Sequence, residues 1–288
     1  MAAGQEECWT PVKLLAWTTG YLSEKGIEGA RREAEWLLGH ATGLSRLDLY
    51  LQFDKPLEEA ELAVFRSLVS RRGRREPLQY LLGDQEFMGR TFLVTPAVLI
   101  PRSDTEVLVE QALKLMPPAA RVLDVGTGSG CIAITIACEA TDAQVDAVDI
   151  SAEALAVAQS NAQSLKAGVT FTHGDLTTPY AGKQFDLIVS NPPYIRQRDL
   201  AGLQPEVIGF EPVSALDGGA DGLDFYRRLI AAAPERLLPG GWLLVEVGYD
   251  QAAEVAKLMT AAGFSDVSTG RDGAGIERIV WGGWHGSP

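Results

Sequence analysis

The sequence predicts an α/β fold: a mostly parallel sheet covered by helices on both faces, preceded by a small all-helical domain. Three observations carry that reading. From Arg121 onward, short apolar runs alternate with helix-like stretches, the pattern of consecutive strand–helix units. Residues 185–190 (FDLIVS) are apolar almost throughout, as a central strand buried on both faces requires. Residues 1–84 instead carry helix formers at helical spacing.

Taken in order, a first helix is expected over residues 11–25, where Val12, Leu15, Tyr21 and Leu22 lie near helical spacing and Pro11 suits the first turn. A second covers 30–40 and ends at the turn Ala41-Thr42-Gly43. A third follows Ser45 and is broken at Lys55-Pro56. A fourth runs over 57–72 and closes on Arg71-Arg72-Gly73-Arg74-Arg75, cations placed to oppose the helix macrodipole. This bundle, residues 1–84, reads as a recognition domain without chemistry of its own. Residues 85–97 form a linker, with two β-prone runs around Met88-Gly89-Arg90 that signal a hairpin. The domain at 98–288 opens on a helix that Ser103 or Asp104 caps, with Glu106 completing a capping box. Strands are expected at 122–125, 144–150, 169–173, 185–190, 241–247 and 277–281. Helices fall at 131–140, 152–163, 225–236 and 251–262.

Composition narrows the function. The chain is 288 residues long, 46% apolar and 22% charged, which suits two domains with real cores. No apolar run approaches the roughly 20 residues of a bilayer span. The opening MAAGQEECWT lacks the basic and apolar regions of a secretory leader, so a cytoplasmic protein is expected. Cys8, Cys131 and Cys138 make no C-x-x-C pair, and His40, His173 and His285 are scattered, so neither a disulfide framework nor a metal site is expected. The net charge is −13. Residues 1–84 hold eleven basic and thirteen acidic side chains, leaving fourteen basic and twenty-five acidic in 85–288. A protein that grips nucleic acid offers a basic surface to the phosphates. The acidic second half favours a protein substrate instead.

Three constellations carry chemistry. Asp124-Val125-Gly126-Thr127-Gly128-Ser129-Gly130 lies between a strand and a helix. Its glycines permit a sharp turn and a close ligand approach, but its spacing is G-x-G-x-G, not the G-x-G-x-x-G of dinucleotide folds. Asp124, two positions before the first glycine, is placed to orient the amino group of S-adenosylmethionine (SAM) through the loop. Asp149 ends the next strand, where an acid accepts ribose hydroxyls in nucleotide-binding α/β folds. Asp175 and Leu176 follow the third strand, placed to meet an adenine amino group and to pack on its ring. Last, Asn191-Pro192-Pro193-Tyr194 follows the fourth strand. The Asn191 side-chain oxygen and the Pro192 carbonyl each suit one N–H of a target NH₂. Pro192 and Pro193 stiffen the turn, and Tyr194 suits stacking on a planar amide or base. An isolated Asn-Pro-Pro-Tyr turn means little; downstream of such a loop it points to methyl transfer onto a planar nitrogen, amide or amine.

With these motifs the chain resembles the HemK/PrmC family, protein-(glutamine-N5) methyltransferases that modify the Gln of the Gly-Gly-Gln loop in peptide chain release factors. The likeness runs nearly end to end: the helical leader, the hairpin, Leu99-Ile100-Pro101-Arg102, the glycine loop, Asn191 to Ile195, Glu211-Pro212, Asp221-Gly222-Leu223 and Glu246-Val247-Gly248-Tyr249-Asp250-Gln251. The chain departs from the family at Ser103, where Pro is usual, and at Leu176, where an aromatic is frequent. The resemblance implies a class I SAM-dependent methyltransferase domain, Rossmann-like, with a seven-stranded sheet whose last strand is antiparallel. It implies SAM contacts at Gly126, Thr127, Gly128, Ser129, Gly130, Asp149, Leu176 and Asn191, with Asn191 and Pro192 catalytic and Asn191, Pro192, Pro193 and Tyr194 on the substrate. A release factor is the implied partner; from the chain itself no direct nucleic-acid contact, no membrane and a monomer are expected. Three other readings share the motifs: a ribosomal-protein glutamine methyltransferase, a nucleic-acid exocyclic-amine methyltransferase, which must extrude its base, and a non-catalytic SAM-binding module.

Overall fold

The computed structural model describes residues 9–286; residues 1–8 of the leader, Cys8 among them, lie outside the described residues. The helices are α1 (Pro11–Glu24), α2 (Ala30–Thr42), α3 (Arg46–Leu51), α4 (Glu59–Gly73), α5 (Leu78–Leu82), α6 (Glu106–Leu115), α7 (Cys131–Glu139), α8 (Ala152–Leu165), α9 (Pro205–Phe210), α10 (Asp224–Ala232) and α11 (Ala252–Ala261). The strands are β1 (Asp84–Phe87), β2 (Arg90–Leu93), β3 (Arg121–Val125), β4 (Gln144–Asp149), β5 (Val169–His173), β6 (Phe185–Ser190), β7 (Leu237–Glu246), β8 (Ser265–Arg271) and β9 (Glu277–Trp284). None of the described helices is long and apolar enough to cross a membrane.

The chain divides into two units. The helical unit comprises the chain up to Gly83 together with Pro205–Phe210, and the sheet unit comprises the rest. In the helical unit, Leu15, Leu22, Leu37, Leu38, Leu49 and Phe65 bury one shared core, each side chain contributing about 1.5–3 kcal/mol. Ser45 and Asp48 form a capping box that starts α3. The arginines closing α4 do more than face a helix dipole. Arg72, only 5% exposed, donates to Glu33 at 2.5 Å and to Glu206 at 3.1 Å, and Arg75 donates to Glu206 at 2.8 Å. Glu206 lies on α9, so residues 205–210 belong with the helical unit, not with the 98–288 domain to which the sequence reading assigns them. The physical reason is this ion cluster, whose partners stand 131 and 134 residues apart in sequence.

The sheet unit holds seven strands in the order β5-β4-β3-β6-β7-β9-β8. β3, β4, β5, β6 and β7 pair in parallel, and β9 runs antiparallel between β7 and β8. This is the class I methyltransferase sheet that the resemblance implies. Alternation sends Val122, Leu187, Val189 and Leu244 to one face with Leu108, Ile132 and Ile136. Leu123, Ile188, Leu243 and Val245 go to the other face with Tyr226, Leu229 and Met259. The chain reverses its direction of progress at β3, between β4 and β6, and ligands of open α/β sheets bind at the carboxyl ends of strands beside such a point.

Several local expectations change. Ser103–Thr105 is a 3-10 turn without a side-chain cap; Glu106 turns away and accepts from the Met88 backbone N–H at 2.9 Å, pinning the β1–β2 hairpin. α10 stops at Ala232, ahead of a 3-10 turn containing Pro234. β8 is absent from the sequence reading because this edge strand, SDVSTGR, carries one apolar residue, Val267, and so no alternation to read.

Candidate active site

A cleft of about 330 Å³ opens at the carboxyl ends of β3, β4 and β6, within the range of small-molecule sites. Its floor is the loop after β3. The backbone N–H groups of Gly126 and Thr127 donate to the Val148 carbonyl at 2.8 and 3.1 Å, folding the loop over β4. Gly126 and Gly128 adopt φ of 75° and 54°, and a Cβ on either would meet nothing within 4 Å. Glycine is needed there for the left-handed backbone, and it leaves the space in front of the loop open. Asp124 is fully buried and does not line the cleft; it works on the loop. Its Oδ2 accepts from Thr127 Oγ1 at 2.6 Å and from the Ala133 N–H at 3.3 Å, tying the loop to the start of α7. Its Oδ1 has no partner among the described residues. Burial pushes its carboxyl up to about 7.

Asp149 lines the cleft, where Oδ2 accepts from the Gly128 N–H at 2.8 Å and Oδ1 from the Ser151 N–H at 2.9 Å. Each oxygen keeps a lone pair for a further donor. Asp175 and Leu176 also line it. The Asp175 carboxylate is paired with Arg228 at 2.5 Å. Leu176 is buried with φ of 51°, a left-handed conformation that costs a branched residue about 1–2 kcal/mol. Strain of that kind gathers where a site fixes its backbone.

The turn after β6 is held from several sides. Ser190 Oγ donates to the Val125 carbonyl at 2.6 Å, fixing the strand end to β3. Asn191 and Pro193 line the cleft, Pro192 is buried, and Tyr194 packs on the core. Gln251 Nε2 donates to the Tyr194 carbonyl at 3.0 Å and to the Gly222 carbonyl at 3.2 Å. A Cβ on Gly222 would stand 2.5 Å from the Tyr194 oxygen, so only glycine lets that loop close on the turn. Beneath the turn, Asn191 Nδ2 donates to Thr105 Oγ1 at 3.1 Å. Thr105 donates to Glu246 Oε2 at 2.6 Å, and the Tyr194 hydroxyl donates to Glu246 Oε1 at 3.3 Å. Burial pushes the Glu246 carboxyl up to about 7, and burial together with Glu246 raises the Tyr194 hydroxyl.

Thr105, Glu246 and Asn161 are the supports that sequence reasoning misses. Asn161 on α8 donates to the Ser129 carbonyl at 2.9 Å and exchanges bonds with Leu93, so the glycine loop and hairpin share one clamp. A lone acid within the apolar run GWLLVEV signals Glu246. Nothing in the helix around Asn161 singles it out.

These residues suit SAM. The lone pairs left on Asp149 match a ribose diol, Leu176, Val148 and Ile150 offer apolar cover for a ring, and the open approach at Gly126 and Gly128 leaves room for a ligand against the loop.

A family model described as the PrmC N-terminal domain matches residues 13–83, and one described as the methyltransferase small domain matches residues 103–205. The chain is 57% identical over 276 residues to the release factor glutamine methyltransferase of Geobacter sulfurreducens, covering 96% of this chain and 97% of the relative. It is 48% identical to that of Bordetella pertussis, over 91% and 97%. Among solved structures, a methyltransferase from Pyrococcus furiosus matches with a TM-score of 0.53 at 18% identity, over 70% of this chain and 91% of that one, a likeness of fold.

Proposed function

The chain belongs to the release factor glutamine methyltransferase family, and from that premise we propose that it transfers the methyl group of SAM to the side-chain amide nitrogen of the Gln in the Gly-Gly-Gln loop of a release factor. The observation that carries the reading is the direction of Asn191. Its NH₂ end is engaged by Thr105, which leaves its oxygen to accept an N–H at the edge of the cleft.

An amide nitrogen is a poor nucleophile because its lone pair is delocalised into the carbonyl. SAM supplies a sulfonium methyl that is already strongly electrophilic. The protein's part is therefore alignment, worth many orders of magnitude when reacting atoms are held in register. Asn191 Oδ1 and the Pro192 carbonyl each accept one N–H of the target NH₂, turning its lone pair towards the methyl carbon. Both acceptors are preorganised, since Gln251, Gly222 and the two prolines leave the turn no alternative. Tyr194 supports the amide plane. Gly126, Thr127, Gly128, Ser129 and Gly130 cradle the methionine end, Asp149 takes the ribose, and Asp175 and Leu176 flank the base. The helical unit supplies the docking surface for the release factor, and the enzyme works as a monomer in the cytoplasm.

Purified enzyme with methyl-labelled SAM and a release factor places the label on the Gln side-chain nitrogen, located by mass spectrometry of the labelled peptide. Label on ribosomal protein or RNA, with the release factor inert, overturns the reading.

A further inference from the structure

Glu246 touches neither the cleft nor Asn191, yet it governs the polarity of everything between them. Its side chain, 2% exposed and closing β7, makes no ion pair among the described residues. Its carboxylate oxygens accept from two hydroxyls, Thr105 at 2.6 Å and Tyr194 at 3.3 Å. A hydroxyl carries one hydrogen. With Glu246 ionised, Thr105 gives its hydrogen to that carboxylate, so towards Asn191 it presents only lone pairs. Only the NH₂ end of the Asn191 amide can face it, at 3.1 Å. The two ends of an amide differ little in shape, and the network around them decides which way round they lie. Here the network leaves one answer.

We propose that Glu246, acting through Thr105, is a positioning residue that fixes the Asn191 amide with its oxygen towards the substrate, and so selects a target carrying N–H donors. The inference rests on the amide-methylating reading above and goes beyond it by assigning the origin of the selectivity. A flipped Asn191 offers N–H groups, which repel an NH₂ target and suit a carboxylate instead. The chain Glu246–Thr105–Asn191 thus separates glutamine from glutamate, two side chains of nearly the same shape.

The test uses the full-length enzyme with SAM and a release factor. Thr105→Val lowers kcat about a hundredfold, the scale of a misaligned reacting group, while KM for the release factor and Kd for SAM by calorimetry stay within about threefold. Thr105→Ser, which keeps the hydroxyl, stays within about threefold of wild type in kcat. The decisive variant reverses the chain. Asn191→Asp alone puts three acceptors around one hydrogen and is nearly inactive. In the double variant Asn191→Asp/Glu246→Gln, the new amide at position 246 donates to Thr105, and Thr105 donates to the new carboxylate at position 191. The second oxygen of that carboxylate then faces the substrate. This double variant recovers at least about tenfold over Asn191→Asp, a coupling that a double-mutant cycle isolates. The proposal is overturned if Thr105→Val keeps wild-type kcat, if Thr105→Ser falls as far as Thr105→Val, or if the double variant recovers nothing. If wild type itself leaves the release factor Gln unmethylated, the functional reading fails instead.

Discussion

Glu35 in the helical unit and Glu246 in the sheet unit are each 2% exposed, yet they are held in opposite ways. Glu35 accepts from Arg31 at 2.9 Å, from Arg46 at 2.7 Å and from the Tyr50 hydroxyl at 2.5 Å. Burial raises its carboxyl, but the bonds from Tyr50, Arg31 and Arg46 outweigh that and hold it below the ordinary range. Its cover is also thin, because the side chains of Arg31 and Arg46 are themselves 45% and 71% exposed. Glu246 meets hydroxyls only, and burial pushes it up to about 7. Opposite charge offsets the loss of solvation, whereas neutral donors do so in part. A paired charge adds cohesion. An unpaired one imposes direction, because each neighbouring O–H must point at it.

That contrast predicts that substitutions in the helical unit reduce stability and those at the strand tips reduce turnover or cofactor affinity. The largest effect falls on Asn191→Ala, which lowers kcat about a thousandfold, comparable to losing one preorganised hydrogen-bonding group at a reacting centre. SAM affinity stays within roughly tenfold and the thermal midpoint is unmoved; loss of cofactor binding in this variant breaks the assignment. Next, Arg72→Ala leaves Glu33 unanswered and Glu206 to Arg75 alone, and destabilises the helical unit by about 3 kcal/mol. Hydrogen exchange then shows protection lost along α1, α2 and α4 while the amides of β3 and β6 hold; a uniform change would end the contrast. Asp149→Ala removes a charged acceptor from two hydroxyls and raises KM for SAM about thirtyfold, since such bonds contribute about 1.5–3 kcal/mol, with kcat changed less. The smallest effect is a pH slope in the ligand-free protein. Folded, Asp124 and Glu246 titrate near 7, against ordinary values of 3.8 and 4.5. At these two sites the folded chain therefore keeps protons that the unfolded chain has shed, so their contribution to stability is full below their ordinary values and declines as pH rises towards 7. The slope is up to about 1.4 kcal/mol per pH unit for each group. Asp149 beside Asp124, and Asp104 beside Glu246, add to the upward shifts, and Arg278 opposes the one at Glu246. Urea titrations across this range flatten in Asp124→Asn and Glu246→Gln; a slope unchanged in both variants contradicts the assignment.

Sequence reading recovers what local pattern encodes. The central parallel strands β3, β4 and β6 are legible because both faces are buried, and the glycine loop because its backbone conformation excludes most side chains. The turn at Asn191 is legible from its residue types and from its place after a buried strand. What escapes is set by long-range partners. α9 is invisible because its reason to exist, Glu206, answers arginines more than a hundred residues earlier. Thr105 stands in a stretch read as a helix cap, but its hydroxyl serves Glu246, 141 residues away. Glu106 fits a capping box by spacing alone, and tertiary contact with the hairpin takes it elsewhere. The arginines after α4 look like helix-end cations because sequence shows the helix and not the glutamates.

The return of residues 205–210 to the helical unit also sets an order in time. Arg72 and Glu206 are 134 residues apart, and at roughly 5–20 residues per second of synthesis the glutamate follows the arginine by roughly 7 to 27 s. A nascent helical bundle must hold Arg72 with Glu33 and the Glu76 carbonyl through that interval. The domain made first is thus the domain finished late, completed only after β3 to β6 and the Asn191 turn have left the ribosome.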